Sequence, residues 1–438
     1  MLRCRKHPAC GHAIGVRVTC PTPTSGMLAG ADTLAYLPIL HNRFKSHISY
    51  PTSQIFLTNL PFIYNCLETY IKEALFLLFQ ICFIIQLYYL VGNHSRLAAY
   101  KPLDELVPVN IPISVIISAR NEAENLGIYL PHILEQNYPD FEVVVVNDCS
   151  YDSSYEVLEE LEKKYPHLKV VTITEHARFK TGKKFALTLG IKAAKNEHLL
   201  FTDADCQPAS ENWITRMAAN FTTDAQIVLG YSPYYKSKNF LNSFVRFETL
   251  KSAINYLSAS LYGNPYMGVG RNLAYTKTLF FSVKGFASHM HIISGDDDLF
   301  VNQNATADNT IIEIHPEAFV YTTAKTTLQS WYRQKKRHMG VGKLYRNNHR
   351  RLLSFDAVSG FLFYILLIGC LIFNFEPMWA LGVFAFRLIW QFIIYSKIFR
   401  KLDAWDLFWY LPGFDLFYYI YLNVFGLIGT FIKTTQWK

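Results

Sequence analysis

The chain has 438 residues, of which 51% are hydrophobic, 16% aromatic and only 17% charged, with a formal net charge of +8. That balance argues against a wholly soluble protein and suits a globular domain joined to membrane spans. The positive excess is local: no acidic residue falls between Ala318 and Phe355, where Arg333, Lys335, Lys336, Arg337, Lys343, Arg346, Arg350 and Arg351 lie. Because this block runs straight into apolar sequence, it reads as juxtamembrane or phosphate-facing, and no nucleic-acid partner is expected.

Residues 1–70 read as an irregular N-terminal segment, rich in Pro, Thr and Ser and without a sustained period. No early apolar stretch with a small-residue cleavage site is visible, so a cleaved signal peptide is not expected. Cys4, Cys10 and Cys20, with His7 and His12, lack the paired spacing of a zinc knuckle. The eight scattered cysteines read as free thiols of a reducing compartment. A first span is expected within 71–93, centred on the apolar run 74–91.

From Ile111 the pattern becomes strand, loop, helix, repeated. Short β-branched runs at 113–117, 141–146, 169–173 and 199–202 read as buried parallel strands, and the segments between them carry helical apolar spacing. Such a sheet gathers ligands at the C-terminal ends of its strands. The loops there are polar: Ser118-Ala119-Arg120-Asn121-Glu122, Asn147-Asp148-Cys149-Ser150 and Asp203-Ala204-Asp205. No GxGxxG follows the first strand and no P-loop is present, which argues against a dinucleotide cofactor and a P-loop nucleotide site. A second acidic cluster, Asp296-Asp297-Asp298, follows downstream. Crowded carboxylates repel one another, and a divalent cation relieves that repulsion while gripping phosphate. Residues 239–262 carry near-helical apolar spacing, open to either an interfacial or a packed helix. The catalytic region is bounded at 105–350, and 355–435 holds about three further hydrophobic segments, the last interrupted by Pro412-Gly413 and Asp415.

With these motifs in view, residues 111–340 resemble a family-2 glycosyltransferase catalytic domain of the membrane-embedded branch with a D, DxD, D, (Q/R)xxRW signature. The resemblance implies an α/β fold of glycosyltransferase-A type, a Rossmann-like nucleotide-diphospho-sugar transferase domain with flanking transmembrane helices. It implies that Asp148 binds uracil, that Ser118, Asn121, Glu122 and Lys183 face the nucleotide, and that Asp203 and Asp205 hold Mg2+ or Mn2+ at the donor diphosphate. By the same resemblance Asp297 is the general base, with Asp296 as the competing frame, and Gln334 and Arg337 of Gln334-Lys335-Lys336-Arg337-His338 serve the catalytic site. His338 stands where the branch has Trp, which points away from a long-chain polymerase.

The implied activity is inverting transfer from a UDP-sugar to a lipid or glycan hydroxyl. The alternatives are a processive polysaccharide synthase and, in other classes, a sugar-phosphate nucleotidyltransferase or an inactive membrane scaffold. The expected location is a membrane, the bacterial inner membrane, with the catalytic domain in the cytosol, because the basic residues flank the spans on that side.

Overall fold

The computed structural model describes residues 52–104, 109–174, 182–292 and 294–431. Residues Tyr64–Lys438 form one compact unit. The expectations for the N-terminal cysteines and for a signal peptide lie outside the described residues. The first helix, α1, runs Thr52–Leu87 and so starts well before residue 71, and a short α2, Ser95–Ala99, follows. The Pro, Thr and Ser content that suggested irregular chain does not break α1.

The sheet has seven strands: β1 Ile113–Ala119, β2 Phe141–Asp148, β3 Leu168–Ile173, β4 His198–Asp203, β6 Ile227–Gly230, β7 Leu273–Thr276 and β8 Thr310–Glu313, in the order β3-β2-β1-β4-β7-β6-β8. A small ribbon pairs β5, Cys206–Pro208, with β9, Val320–Thr322. Strands β1 to β4 are parallel, as their uninterrupted apolar runs predict. The second half is not: β7 runs antiparallel to both β4 and β6. The sheet is therefore mixed, and its short second half carries no alternating pattern long enough to read from sequence.

Side-chain alternation sends the sheet's residues to two cores. Ile113, Val115, Ile117, Val143, Val145 and Leu200 join one, with Leu126 and Leu130 of α3 (Ala123–Leu134) and Leu158 of α4 (Ser154–Lys164). Ile116, Val144, Leu199 and Phe201 join the other, with Leu187 and Ile191 of α5 (Lys183–Ala193). Helix α5 lies unusually close to the sheet. A Cβ at Gly190 would come within 2.8 Å of Ile116 and 3.0 Å of Val146, so glycine lets the helix settle there and brings its N-terminus to the ends of β1 and β4.

Helices α6 (Trp213–Ala218), α7 (Phe240–Leu261), α8 (Lys277–Ser282), α9 (Asp298–Asn304) and α10 (Leu328–Met339) complete the polar region. Three long helices follow: α11 Asn347–Ile372, α12 Pro377–Lys401 and α13 Leu411–Phe431. Among the described residues four stretches are long and apolar enough to cross a membrane: Leu67–Ala99, Asn347–Ile372, Pro377–Lys401 and Trp405–Ile428. Their outer faces expose Ile84, Ile372, Trp379, Ile389 and Leu427, as a lipid environment favours.

Helix α7 is packed rather than laid on lipid: most of its residues from Val245 onward are buried. It carries three buried charges, each paired with a different element. Arg246 grips Asp406 bidentately at 2.6 and 2.9 Å, Glu248 pairs with Lys335 of α10, and Lys251 meets Asp415 of α13 at 3.2 Å. Asp415 also accepts from Arg387 at 2.9 Å and Tyr364 at 2.8 Å. Gln86 extends the network, donating to Ser359 at 2.9 Å and accepting from Arg387 at 3.1 Å and Tyr419 at 2.8 Å.

Candidate active site

The site forms where β1, β2 and β4 end. Asp203 is the last residue of β4 and lies opposite Ser118 in the parallel register; Asp148 ends β2 beside Ile173. Lys183, the first residue of α5, reaches into this edge. Its Nζ sits 2.9 Å from Asp203 Oδ1 and 3.0 Å from Asp296 Oδ2, bridging the two acidic clusters. Burial opposes its charge, but Asp203, Asp296 and Asp297 more than offset this and hold its pKa well above the usual lysine range. Lys183, Thr202, Asp203, Gly270, Asp296 and Asp297 line one recess with about 270 Å3 of free space, open solvent included.

The neighbouring lysine has another task. Lys184 is buried and its Nζ donates to the carbonyls of His289 at 2.8 Å, Ile292 at 3.1 Å and Ser294 at 2.8 Å. Three carbonyls on one ammonium fix the loop that leads into Asp296. Burial brings the Lys184 pKa down to about 8.

Asp297 caps α9 and is held from two sides. Gly270 N–H donates to its Oδ2 at 2.7 Å and Asp298 N–H to its Oδ1 at 2.7 Å. A Cβ at Gly270 would stand 3.2 Å from that Oδ2, so a larger residue there crowds the carboxylate. Partial burial and the Asp296 charge push the Asp297 pKa above the usual carboxylate range, against the pull of Lys183. Asp296 is buried and ion-paired, whereas Asp297 is more open.

Asp203, Asp205 and Cys206 bring one ligand atom each within 4.8 Å of one another. Burial and the surrounding carboxylates keep the Cys206 thiol pKa well above its usual value, so the available donors are carboxylate oxygens, a set that fits Mg2+ or Mn2+. Asp203 Oδ1 is engaged by Lys183, whereas Asp205 Oδ1 meets the Cys206 thiol at 3.5 Å, so Asp205 is the carboxylate freer to hold a cation. Burial and Asp203 raise the Asp205 pKa, and Arg271 opposes them. Arg271 lies with its guanidinium 4.7 Å from the Tyr234 ring centre, and its Nε, though buried, has no hydrogen-bond partner. Sequence reasoning passed over Arg271, because it lies far from Asp205 along the chain and no spacing in the sequence joins the two.

Asp148 is almost fully buried, and neither of its oxygens has a conventional hydrogen-bond donor. Burial pushes its pKa above the usual carboxylate range, against Arg120 and a hydrogen bond from the Cys149 thiol. Asn147 Oδ1 and Thr202 Oγ1 are likewise buried and unpartnered. Unpaired buried polar atoms are costly, and a ligand that satisfies them is a physical reason for their survival.

The loop at 118–122 is tied to the 150–154 turn. Asn121, at φ +54°, donates its N–H to Ser150 Oγ at 2.9 Å and accepts from Tyr151 N–H at 2.8 Å. Glu122 N–H donates to Ser154 Oγ at 3.1 Å, and its carboxylate accepts from Asn125 at 2.6 Å. Ser118 is half-buried at the end of β1. Gln334 does not line the recess; its Nε2 lies 3.5 Å from the Tyr234 hydroxyl, one step behind Arg271. Arg337 falls on α10, but its side chain lies outside the described residues, as does that of His338.

Comparison with known proteins agrees with this architecture. Residues 114–291 match Glycosyl transferase family 2. A poly-beta-1,6-N-acetyl-D-glucosamine synthase of Staphylococcus epidermidis is 31% identical over 137 residues, 30% of this chain and 32% of that protein. Glycosyltransferase AglE of Haloferax volcanii is 28% identical over 193 residues, 42% of this chain and 58% of that protein. The chain thus aligns with less than two thirds of the length of either relative. A mannosyltransferase from Pyrobaculum calidifontis, solved with GDP-Man and Mn2+, superposes with a TM-score of 0.52 at 17% identity, covering 81% of this chain and 98% of that one, a likeness of fold.

Proposed function

We propose that this chain, which carries a glycosyl transferase family 2 domain over residues 114–291, is a membrane-embedded inverting glycosyltransferase. It takes a UDP-sugar as donor and a lipid or glycan hydroxyl as acceptor, with the catalytic domain on the cytosolic face of the bacterial inner membrane. The observation that carries this reading is the convergence of Lys183, Asp203, Asp296 and Asp297 on one recess at the strand ends. The relatives' printed activities are sugar transfer or synthesis, and the four apolar stretches support membrane residence.

Asp297 takes the proton from the acceptor hydroxyl as that oxygen bonds to the anomeric carbon. The bond from the anomeric carbon to the diphosphate oxygen breaks on the opposite face, UDP departs with the electron pair, and the sugar configuration inverts. Backbone N–H groups of Gly270 and Asp298 aim the base. Asp296, neutralised by Lys183, orients that lysine toward the donor. Asp205, with Asp203 beside it, would hold Mg2+ or Mn2+, which when bound neutralises charge on the departing diphosphate. Arg271 and Lys183 add fixed positive charge on the same side. Asp148 accepts the uracil imide N–H, which supplies a donor to a buried carboxyl that has no N–H or O–H partner in the chain.

The test is a panel of radiolabelled UDP-sugars on membranes containing the full chain, with Mn2+ or with EDTA. Product extracted into organic solvent supports the lipid acceptor. High-mass aqueous product makes the chain a polysaccharide synthase, and no transfer from any UDP-sugar overturns the reading.

A further inference from the structure

The first turn of α9 starts beside the proposed base, and its far side is gripped by the chain entering α11. The Tyr345 hydroxyl donates to Asp298 Oδ2 at 2.9 Å, while Leu299 N–H donates to Oδ1 at 2.7 Å. One turn on, Asn302 is fully buried. It accepts from Arg346 N–H at 2.8 Å and donates to the Tyr266 carbonyl at 2.8 Å. Its amide nitrogen also lies 3.0 Å from His349 Nδ1, and His349 Nε2 lies 2.9 Å from Asn264 Oδ1. An amide nitrogen can only donate, so His349 Nδ1 accepts and Nε2–H donates, a neutral ring in a fixed tautomer. Asp298 therefore touches the base through its own N–H and the lead-in to α11 through its carboxylate.

We propose that Tyr345 is a positioning residue for the transfer step: its bond to Asp298 holds the first turn of α9, and with it the Asp298 N–H that aims Asp297, and it eases the ionisation of Asp298 beside that base. The inference rests on Asp297 being the base.

The groups facing this pair are Asp296 on the same loop, Lys183 and Lys184 from α5, Tyr275 from β7, Tyr256 from α7, Tyr266 and Tyr345. Burial, then Asp297, pushes the Asp298 pKa up to about 8, and the Tyr345 hydroxyl pulls against them. At neutral pH most of Asp298 therefore keeps its proton, and its charge develops toward pH 8 and above. Once charged, it makes Asp297 a stronger base; without the Tyr345 hydroxyl that charge appears at higher pH.

The experiment measures kcat against pH on the full chain in membranes, with saturating Mn2+ and the UDP-sugar that supports turnover. The variants are Tyr345→Phe, Asp298→Asn and their combination, with UDP binding as the control for folding. Tyr345→Phe is expected to lower kcat several-fold with donor KM unchanged, and to move the rise of kcat that accompanies Asp298 ionisation up by about half a unit. Asp298→Asn abolishes that rise, and the combination coincides with Asp298→Asn.

A slower Tyr345→Phe with that rise unmoved, or an equal extra loss when Tyr345→Phe is added to Asp298→Asn, overturns the inference. If Tyr345→Phe loses UDP binding, Asp298→Asn decides alone, and a rise that survives there overturns it. Asp297→Asn separates the levels. If that variant still transfers sugar, the base assignment falls and takes this inference with it; if it is inactive and the Tyr345→Phe profile matches wild type, only the role of Tyr345 falls.

Discussion

The helical bundle and the strand ends both bury ionisable groups, but they partner them to different degrees. In the helical bundle, Asp415 meets Lys251, Arg387 and Tyr364, and Gln86 ties Ser359, Arg387 and Tyr419 together. At the strand ends, Asp148 has no conventional donor on either oxygen, and Thr202 Oγ1, Asn147 Oδ1 and Arg271 Nε are also unpartnered. Satisfied buried charge reads as structure, because removing one partner strands the other. Buried charge that its neighbours satisfy only in part, as Arg120 and the Cys149 thiol do for Asp148, reads as a place kept for a ligand. Polarity alone would have flagged both regions; its pairing separates them.

The comparison can be broken from either side. The largest effect belongs to Asp297→Asn, which should reduce transfer by about 10^3-fold or more while UDP binding, followed calorimetrically, stays near wild type. An unchanged rate removes the base. Asp205→Ala should lose about 10^2-fold in turnover and respond little to Mn2+; activity still stimulated by the ion would take Asp205 out of the metal site.

In the bundle, Asp415→Asn should destabilise the detergent-solubilised protein by about 3 kcal/mol, read as a lowered unfolding temperature, with little change in kcat of the folded fraction. The smallest effect is expected at Asp148→Asn. It should raise donor KM by about 10-fold yet leave the unfolding temperature unchanged or higher. The sign follows from burial, which raises the Asp148 pKa in the folded state. At neutral pH its ionised form costs stability, and a neutral amide removes that cost. A fall in unfolding temperature at Asp148 as large as at Asp415 would erase the distinction between the regions.

The parts legible in sequence were those written locally. Runs such as Val143-Val144-Val145-Val146 announce a doubly covered strand, and Asp203-Ala204-Asp205 after Leu199-Leu200-Phe201 announces an acidic strand end. What stayed hidden depends on contacts between distant residues. Strands β6, β7 and β8 have four residues each, too short for a period to emerge, and their mixed direction follows from packing. Pro412-Gly413 falls in the first turn of α13, which starts at Leu411 after a 3-10 turn, and the helix then carries Asp415 because Lys251 and Arg387 neutralise the acid. The division of labour between Lys183 and Lys184 is invisible in a Gly-Lys-Lys string, because it depends on which side of α5 faces the acids and which faces the 289–294 loop.

The most direct measurement is an experimental structure of the full chain with UDP and Mn2+ bound. The account predicts the uracil ring within hydrogen-bonding distance of Asp148, and the diphosphate between Asp205 and Lys183 with Asp297 facing the vacant side. UDP lodged elsewhere, with Asp148 still unpartnered and Asp205 remote from the diphosphate, would contradict it.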